Sequence, residues 1–150
     1  MNIVVDVSVF IDRLFIYDEE RSNRARNLFR LIDENSLDII EPLVFGVELA
    51  SQLTRRKPRA IAKKLYDEIM NKVIVIDEIE YDLLVDIALA TGCRAIDAFY
   101  IAVASIIPAI LVSADRVMVS NARRYGVEAY FIHDISDYNA LLSRINQAKT

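Results

Sequence analysis

The stretch ILVSADRVMVSNARRYGVEAYFI (110–132) decides the fold class. An apolar strand, AILVS (109–113), gives way to a helical pattern from Asp115 to Tyr125, and VEAYFI (127–132) returns to strand. Strands joined through a helix run parallel, because the helix carries the chain back to the starting edge. The same alternation extends outward. Ile3 to Val7 patterns as a first strand, and Glu20 to Glu34 as a helix with Ala25, Leu28, Phe29 and Ile32 at helical spacing. SLDIIEP (36–42) is a short strand whose Pro42 starts a helix reaching about Arg56, and Pro58 opens another to about Asn71. KVIVID (72–77) is a compact β-branched strand. Glu78 to Thr91 is helical and stopped by Gly92, Asp97 to Ile107 is a nearly all-apolar helix, and a last helix starts about Ser136. Short apolar strands separated by helices imply an α/β fold whose mostly parallel sheet is covered on both faces.

The composition suits that reading. A chain of 150 residues, 54% hydrophobic with only 3 Gly and 3 Pro, is expected to form one domain, 1–150, with a sizeable core and short loops. Cys93 is the sole cysteine, which excludes an intrachain disulfide and a cysteine-built metal cage and fits a reducing, cytoplasmic setting. The start, MNIVVDVSVFIDRLF, is broken by Asp6, Asp12 and Arg13 and reads as a strand, not a signal peptide. No run approaches the ~18 uninterrupted apolar residues of a membrane span. A net charge of −4 gives no sign of a nucleic-acid partner, so that case rests on local arrangement.

Ligands of parallel sheets bind beyond the carboxyl ends of the strands, and four acids fall on or near that edge. Asp6 ends the first strand in VVDVS, and Asp115 follows the fourth in LVSAD. Glu48 lies in PLVFGVELA among Val44, Val47 and Leu49, and Asp97 sits in CRAIDAFYIA (93–102), the most apolar reach of the chain. A lone charge in such settings is costly. Each acid singly has a plain structural reading: Asp97 and Asp115 as helix caps, Asp6 as a strand end, Glu48 as an arginine partner. Four together repel one another unless something positive sits between them. A hard divalent cation, Mg²⁺ or Mn²⁺, answers that need with oxygen ligands.

DVSVF (6–10), PLVFGVELA (42–50), CRAIDAFYIAVA (93–104) and ILVSADRVMVSNARRYGVEAYFI (110–132) resemble the four acidic motifs of a PIN domain, in the family's order, over about Ile3 to His133. The nearest group is the single-domain VapC-type toxins of archaea and bacteria. The resemblance implies a three-layer α/β/α sandwich and a metal-dependent ribonuclease using one or two Mg²⁺ or Mn²⁺ ions. It carries the acidic roles onto Asp6, Glu48, Asp97 and Asp115, with Asp6 and Asp97 as direct metal ligands and Asp115 and Glu48 ligating directly or through water, either of them able to orient the attacking water. Ser8 and Ser113 match supporting hydroxyl positions. Where many relatives have another Asp two residues after the last one, this chain has Val117. Asn121 reads as a helix-surface residue.

RNA also has to be held. Arg55, Arg56, Lys57 and Arg59, with Lys63 and Lys64, form the densest basic run, read as a phosphate grip, as a seat for an acidic partner segment or as a solvated helix end. Arg94, three residues before Asp97, suits phosphate contact or pairing with a site carboxylate. His133 is given no role. Of the rivals, a HAD-type phosphatase needs a second acid where Ser8 stands, and a receiver domain needs an early acidic pair and a lysine after its last strand. A third is a PIN-fold RNA- or protein-binding module with a degenerate, non-catalytic site. IAVASII (101–107) and the helix from Arg21 are expected to leave apolar surface for a homodimer, and the resemblance implies a small antitoxin partner.

Overall fold

The computed structural model describes residues 1–148. Its centre is a five-stranded sheet of β1 (Asn2–Val5), β2 (Asp38–Pro42), β3 (Val73–Ile76), β4 (Ala109–Ser113) and β5 (Ala129–Phe131), in the order β3-β2-β1-β4-β5. Every pairing is parallel, so the sheet is wholly and not mostly parallel; Ile3 pairs with Ile39 on one side of β1 and Val5 with Val112 on the other. The helices are α1 (Val7–Leu14), α2 (Glu19–Glu34), α3 (Leu43–Thr54), α4 (Arg59–Met70), α5 (Tyr81–Thr91), α6 (Ala95–Ile106), α7 (Arg116–Arg124) and α8 (Ile135–Gln147). On one face α6 packs on β1, β2 and β4, and α7 on β4 and β5, with α5 behind them. On the other, α1 meets β4, α8 meets β5, and α2 joins α1 to α8. The result is the three-layer α/β/α arrangement.

Local chemistry sets the element ends. Pro42 and Pro58 precede the first turns of α3 and α4, where a missing N–H costs nothing. Gly92 caps α5 at φ +65°, a left-handed conformation that other residues adopt only with strain.

Three expectations need correction. The first strand stops at Val5, and Val7 already belongs to α1, a helix absent from the sequence reading. Residues 4–10 alternate like a strand through Asp6 and Ser8, yet Val7, Phe10 and Ile11 also fall on one helical face, and packing of that face selects the helix. Glu78 to Glu80 lie outside α5, whose first helical residue is Tyr81. Asn121, expected on a helix surface, is buried on α7.

The run 101–107 is also placed differently from the expectation that it serves association. Ile101, Ala102 and Val103 are fully buried against the sheet of the same chain. Of the run, Ile106 is exposed, and larger exposure of apolar side chains is found on α5, at Tyr81 and Leu89. Among the described residues no single helix is long and apolar enough to cross a membrane. His133 ties the layers together: Arg24 Nε donates to its Nδ1 at 3.1 Å, and its Nε2 meets Asp12 Oδ2 at 2.6 Å.

The strand order places the functional edge. From β1 the chain moves towards β2, and from β4 it moves towards β5, so β1 and β4 flank the point where the direction of winding reverses. There the helices diverge and leave a cleft at the carboxyl ends.

Candidate functional site

Asp6 directly follows β1 and sits in that cleft, 9% exposed. Its Oδ2 accepts from Ser8 Oγ at 2.9 Å and from Ser113 Oγ at 2.7 Å, while Asp6 itself makes no side-chain cap to α1. Both hydroxyls are held in turn: Ala114 N donates to Ser8 Oγ at 3.2 Å and Asp115 N to Ser113 Oγ at 2.9 Å. Asp6 is thus fixed through one oxygen by the ends of β4 and α1.

Asp97 lies in the first turn of α6, where the helix dipole favours an anion, and is 2% exposed. Asp115 is the N-cap of α7 and accepts from Val117 N at 2.9 Å through Oδ1, so the capping reading is realised while Oδ2 is engaged separately. Arg94 spans the two acids. Its Nε donates to Asp97 Oδ2 at 3.2 Å and its Nη2 to Asp115 Oδ2 at 3.1 Å. The guanidinium occupies the position of a counter-cation while its side chain stays 74% exposed. Glu48, on α3, is half-buried and accepts from Tyr100 Oη at 2.9 Å.

The cleft of about 360 Å³ is lined by Asp6, Glu48 and Asp115 together with Arg21, Arg56 and Arg94. The fold therefore brings the four acids, both serines, Arg94 and Arg56 to one place. Arg55 and Lys57 do not line it; they are exposed beyond the end of α3. Tyr100 was missed as a site residue because its apolar spacing marks it as core, and it is both, fully buried with its hydroxyl turned to Glu48. Glu41 was missed as well. Its only sequence signal is an acid inside the otherwise apolar strand DIIEP.

A model of the PIN domain matches residues 3–124. This chain belongs to the PIN domain family. Among solved structures, PAE2754 from Pyrobaculum aerophilum superposes with a TM-score of 0.64 at 19% identity, covering 98% of this chain and 99% of that one. FitAcB from Neisseria gonorrhoeae gives 0.65 at 16% identity, covering 89% and 99%. VapBC-1 from nontypeable Haemophilus influenzae gives 0.59 at 13% identity, covering 88% and 98%. At these identities the likeness is one of fold. No curated protein matches the chain.

PIN domains are generally nucleases that use divalent metal ions, and the donor chemistry here fits one. As the side chains stand, no three carboxyl groups among the described residues close on a common point, and Arg94 holds Asp97 and Asp115 instead. The donors are all oxygen, the choice of Mg²⁺ and Mn²⁺. The electrostatics also call for a cation. Burial raises the carboxyls of Asp6, Glu48 and Asp97 above their ordinary values. Hydrogen bonds from Ser113 and Ser8 partly offset this at Asp6, and Arg94 does so at Asp97. Neighbouring negative charge adds to the rise, Asp97 acting on Asp6 and Asp6 on Glu48.

Glu41 lies beneath this group. It is fully buried on β2, its Oε1 accepts from Val5 N at 2.8 Å, and its Oε2 has no partner. Burial pushes its carboxyl well above the ordinary 4.5, and the charges of Asp6 and Glu48 push the same way. The folded PIN domain therefore holds a proton on Glu41 more tightly than the unfolded chain does. Stability from this group is lost as pH rises from about 4.5 towards the folded value. Glu41→Gln keeps the shape and cannot ionise. It is expected to be more stable than wild type at pH 7 and to flatten the decline above pH 5. Urea midpoints across pH 4–8 test this, and parallel wild-type and variant profiles refute it.

Proposed function

We propose that this PIN domain is a metal-dependent endoribonuclease that hydrolyses RNA phosphodiester bonds, acting as the toxin of a VapBC-type pair. The observation that carries the proposal is the gathering of Asp6, Glu48, Asp97 and Asp115 around one cleft, two of them bridged by the exposed Arg94. Asp6, Asp97 and Asp115 would hold the ion, with Glu48 beside them. Bound there, Mg²⁺ or Mn²⁺ supplies an activated water at neutral pH and neutralises charge on the phosphate and the leaving oxygen.

The chain's own groups have separable tasks. Ser8 and Ser113 fix Asp6 through its Oδ2. Tyr100 orients Glu48, and the raised affinity of Glu48 for protons suits it to accept one from the attacking water. Arg94 would be freed from Asp97 and Asp115 were a divalent cation held there, and its exposed side chain would then be available to a phosphate. With the four acids neutralised, the net charge of −4 becomes zero and no longer repels RNA.

The FitAcB and VapBC-1 likenesses support a small antitoxin partner for this chain, and the exposed Tyr81 and Leu89 on α5 support a homodimer. The lone Cys93 supports a cytoplasmic setting for this chain. The test is cleavage of labelled single-stranded RNA with Mg²⁺ or Mn²⁺, with EDTA, and by Asp97→Asn. Expected is metal-dependent cutting that the variant loses. Cutting that persists in the variant marks a contaminating nuclease. No cutting by folded, metal-loaded wild type favours the non-catalytic binding module, for which Val117 in place of a further acid is the supporting observation.

A further inference from the structure

The linker between α1 and α2 presents an aromatic side chain that the chemistry above does not use. Tyr17 is 71% exposed, yet it is held from several sides. Its ring stacks on Phe15, with centroids 6.3 Å apart and planes inclined by 28°. The Arg56 guanidinium lies 5.7 Å from both ring centroids, and its Nε donates to Tyr17 Oη at 3.1 Å. Arg56 is anchored in turn, its Nη1 donating to the Gln52 carbonyl and to Gln52 Oε1, each at 2.8 Å. The Tyr17 N–H donates to the Phe15 carbonyl at 3.2 Å.

An exposed ring normally samples several rotamers. This one is fastened by its backbone, its face and its hydroxyl while most of its surface stays open. Its place is equally specific: Tyr17, Arg21 and Arg56 line the same cleft as Asp6, Glu48 and Asp115. The cleft thus carries acidic, basic and aromatic side chains within one nucleotide-scale volume. Tyr81 is as exposed but lies on α5, outside that cleft.

We propose that Tyr17, propped by Phe15 and Arg56, is a stacking platform that seats one unpaired nucleobase of single-stranded RNA beside the carboxylate site. The proposal rests on the ribonuclease reading for its substrate class. Stacking on an open aromatic face requires a base already free of its neighbours, which selects single strands over duplex. Arg21, and the edge of Arg56 not bonded to Gln52, hold the adjoining phosphate, so base and backbone are gripped from one side. The hydroxyl's partner is protein, so the platform reads the flat face of a base and not its edge, and it tolerates different bases.

The test measures binding in EDTA, where no cutting occurs. Fluorescence anisotropy compares a labelled oligoadenylate with a strand of equal length that carries ribose-phosphate without bases. Wild type is expected to bind the oligoadenylate more tightly. Tyr17→Ala is expected to lower that affinity about tenfold and leave the abasic strand unaffected, while Tyr17→Phe keeps most of the affinity. Equal loss on both strands, no loss on either, or no RNA binding by wild type overturns the platform. If wild type binds with this base dependence but never cuts with Mn²⁺, the platform stands and the nuclease reading falls. If it cuts while Tyr17→Ala binds like wild type, the nuclease stands and the platform falls.

Discussion

Asp6→Asn is expected to reduce RNA cleavage by about three orders of magnitude while leaving the metal-free protein at least as stable as wild type. Asp6 faces the cleft with one oxygen locked by Ser8 and Ser113, so the asparagine loses the charge needed to hold a cation with little change of shape. A metal ion contributes several kcal/mol of charge stabilisation in phosphoryl chemistry, and each ~1.4 kcal/mol is tenfold in rate. Stability moves the other way because burial and Asp97 already oppose ionisation at Asp6. Removing the charge relieves both.

Metal adds a second readout. Wild type is expected to gain about 2.7 kcal/mol at a metal concentration a hundredfold above its dissociation constant, and the variant much less. Thermal melts with EDTA and with Mn²⁺, alongside cleavage assays, check both halves. A variant that cuts within tenfold of wild type, or one that melts far lower in EDTA, overturns the role given to Asp6.

Ile101→Ala is expected to cost about 2–5 kcal/mol of stability. Ile101 is fully buried on α6, which packs against β1, β2 and β4, the strands that bear Asp6, Glu41 and Ser113 at or near their ends. It also stands one helical turn after Asp97. Truncation leaves a void beneath that turn, and relaxation into it displaces Asp97. Misplacement of a catalytic group by ~1 Å can cost about a hundredfold in rate. The matched control is Ile135→Ala on α8, at 70% exposure, which should stay within about 0.5 kcal/mol of wild type. Chemical denaturation of both variants decides it. A loss below 1 kcal/mol for Ile101→Ala would mean that α6 can close around the missing atoms.

The four acids were legible before the fold because each stands in an apolar neighbourhood where a charge demands compensation. Convergence was legible only as an expectation. Strand ends can be read from AILVS or KVIVID, but which ends are neighbours depends on the β3-β2-β1-β4-β5 order, set by contacts between residues far apart in the chain. α1 was hidden for a related reason. VVDVSVF satisfies a two-residue period and a helical one at once, and only the packing of Val7, Phe10 and Ile11 separates them. Arg56 was one cation in a basic run of four, and nothing local sets it apart from Arg55 or Lys57. The direction of its side chain at the end of α3 does.

By itself the sequence determined the α/β class, five strand positions and the acidic residues that meet at the cleft, since periodicity and the cost of buried charge are local properties. The tertiary structure alone decided that Arg94 bridges Asp97 and Asp115, that Tyr100 and Glu41 belong with the acids, and that Tyr17 overlooks the cleft. Each of those facts joins residues on different elements, and their separation in space follows from the packing of helices on a sheet, which no window of sequence contains.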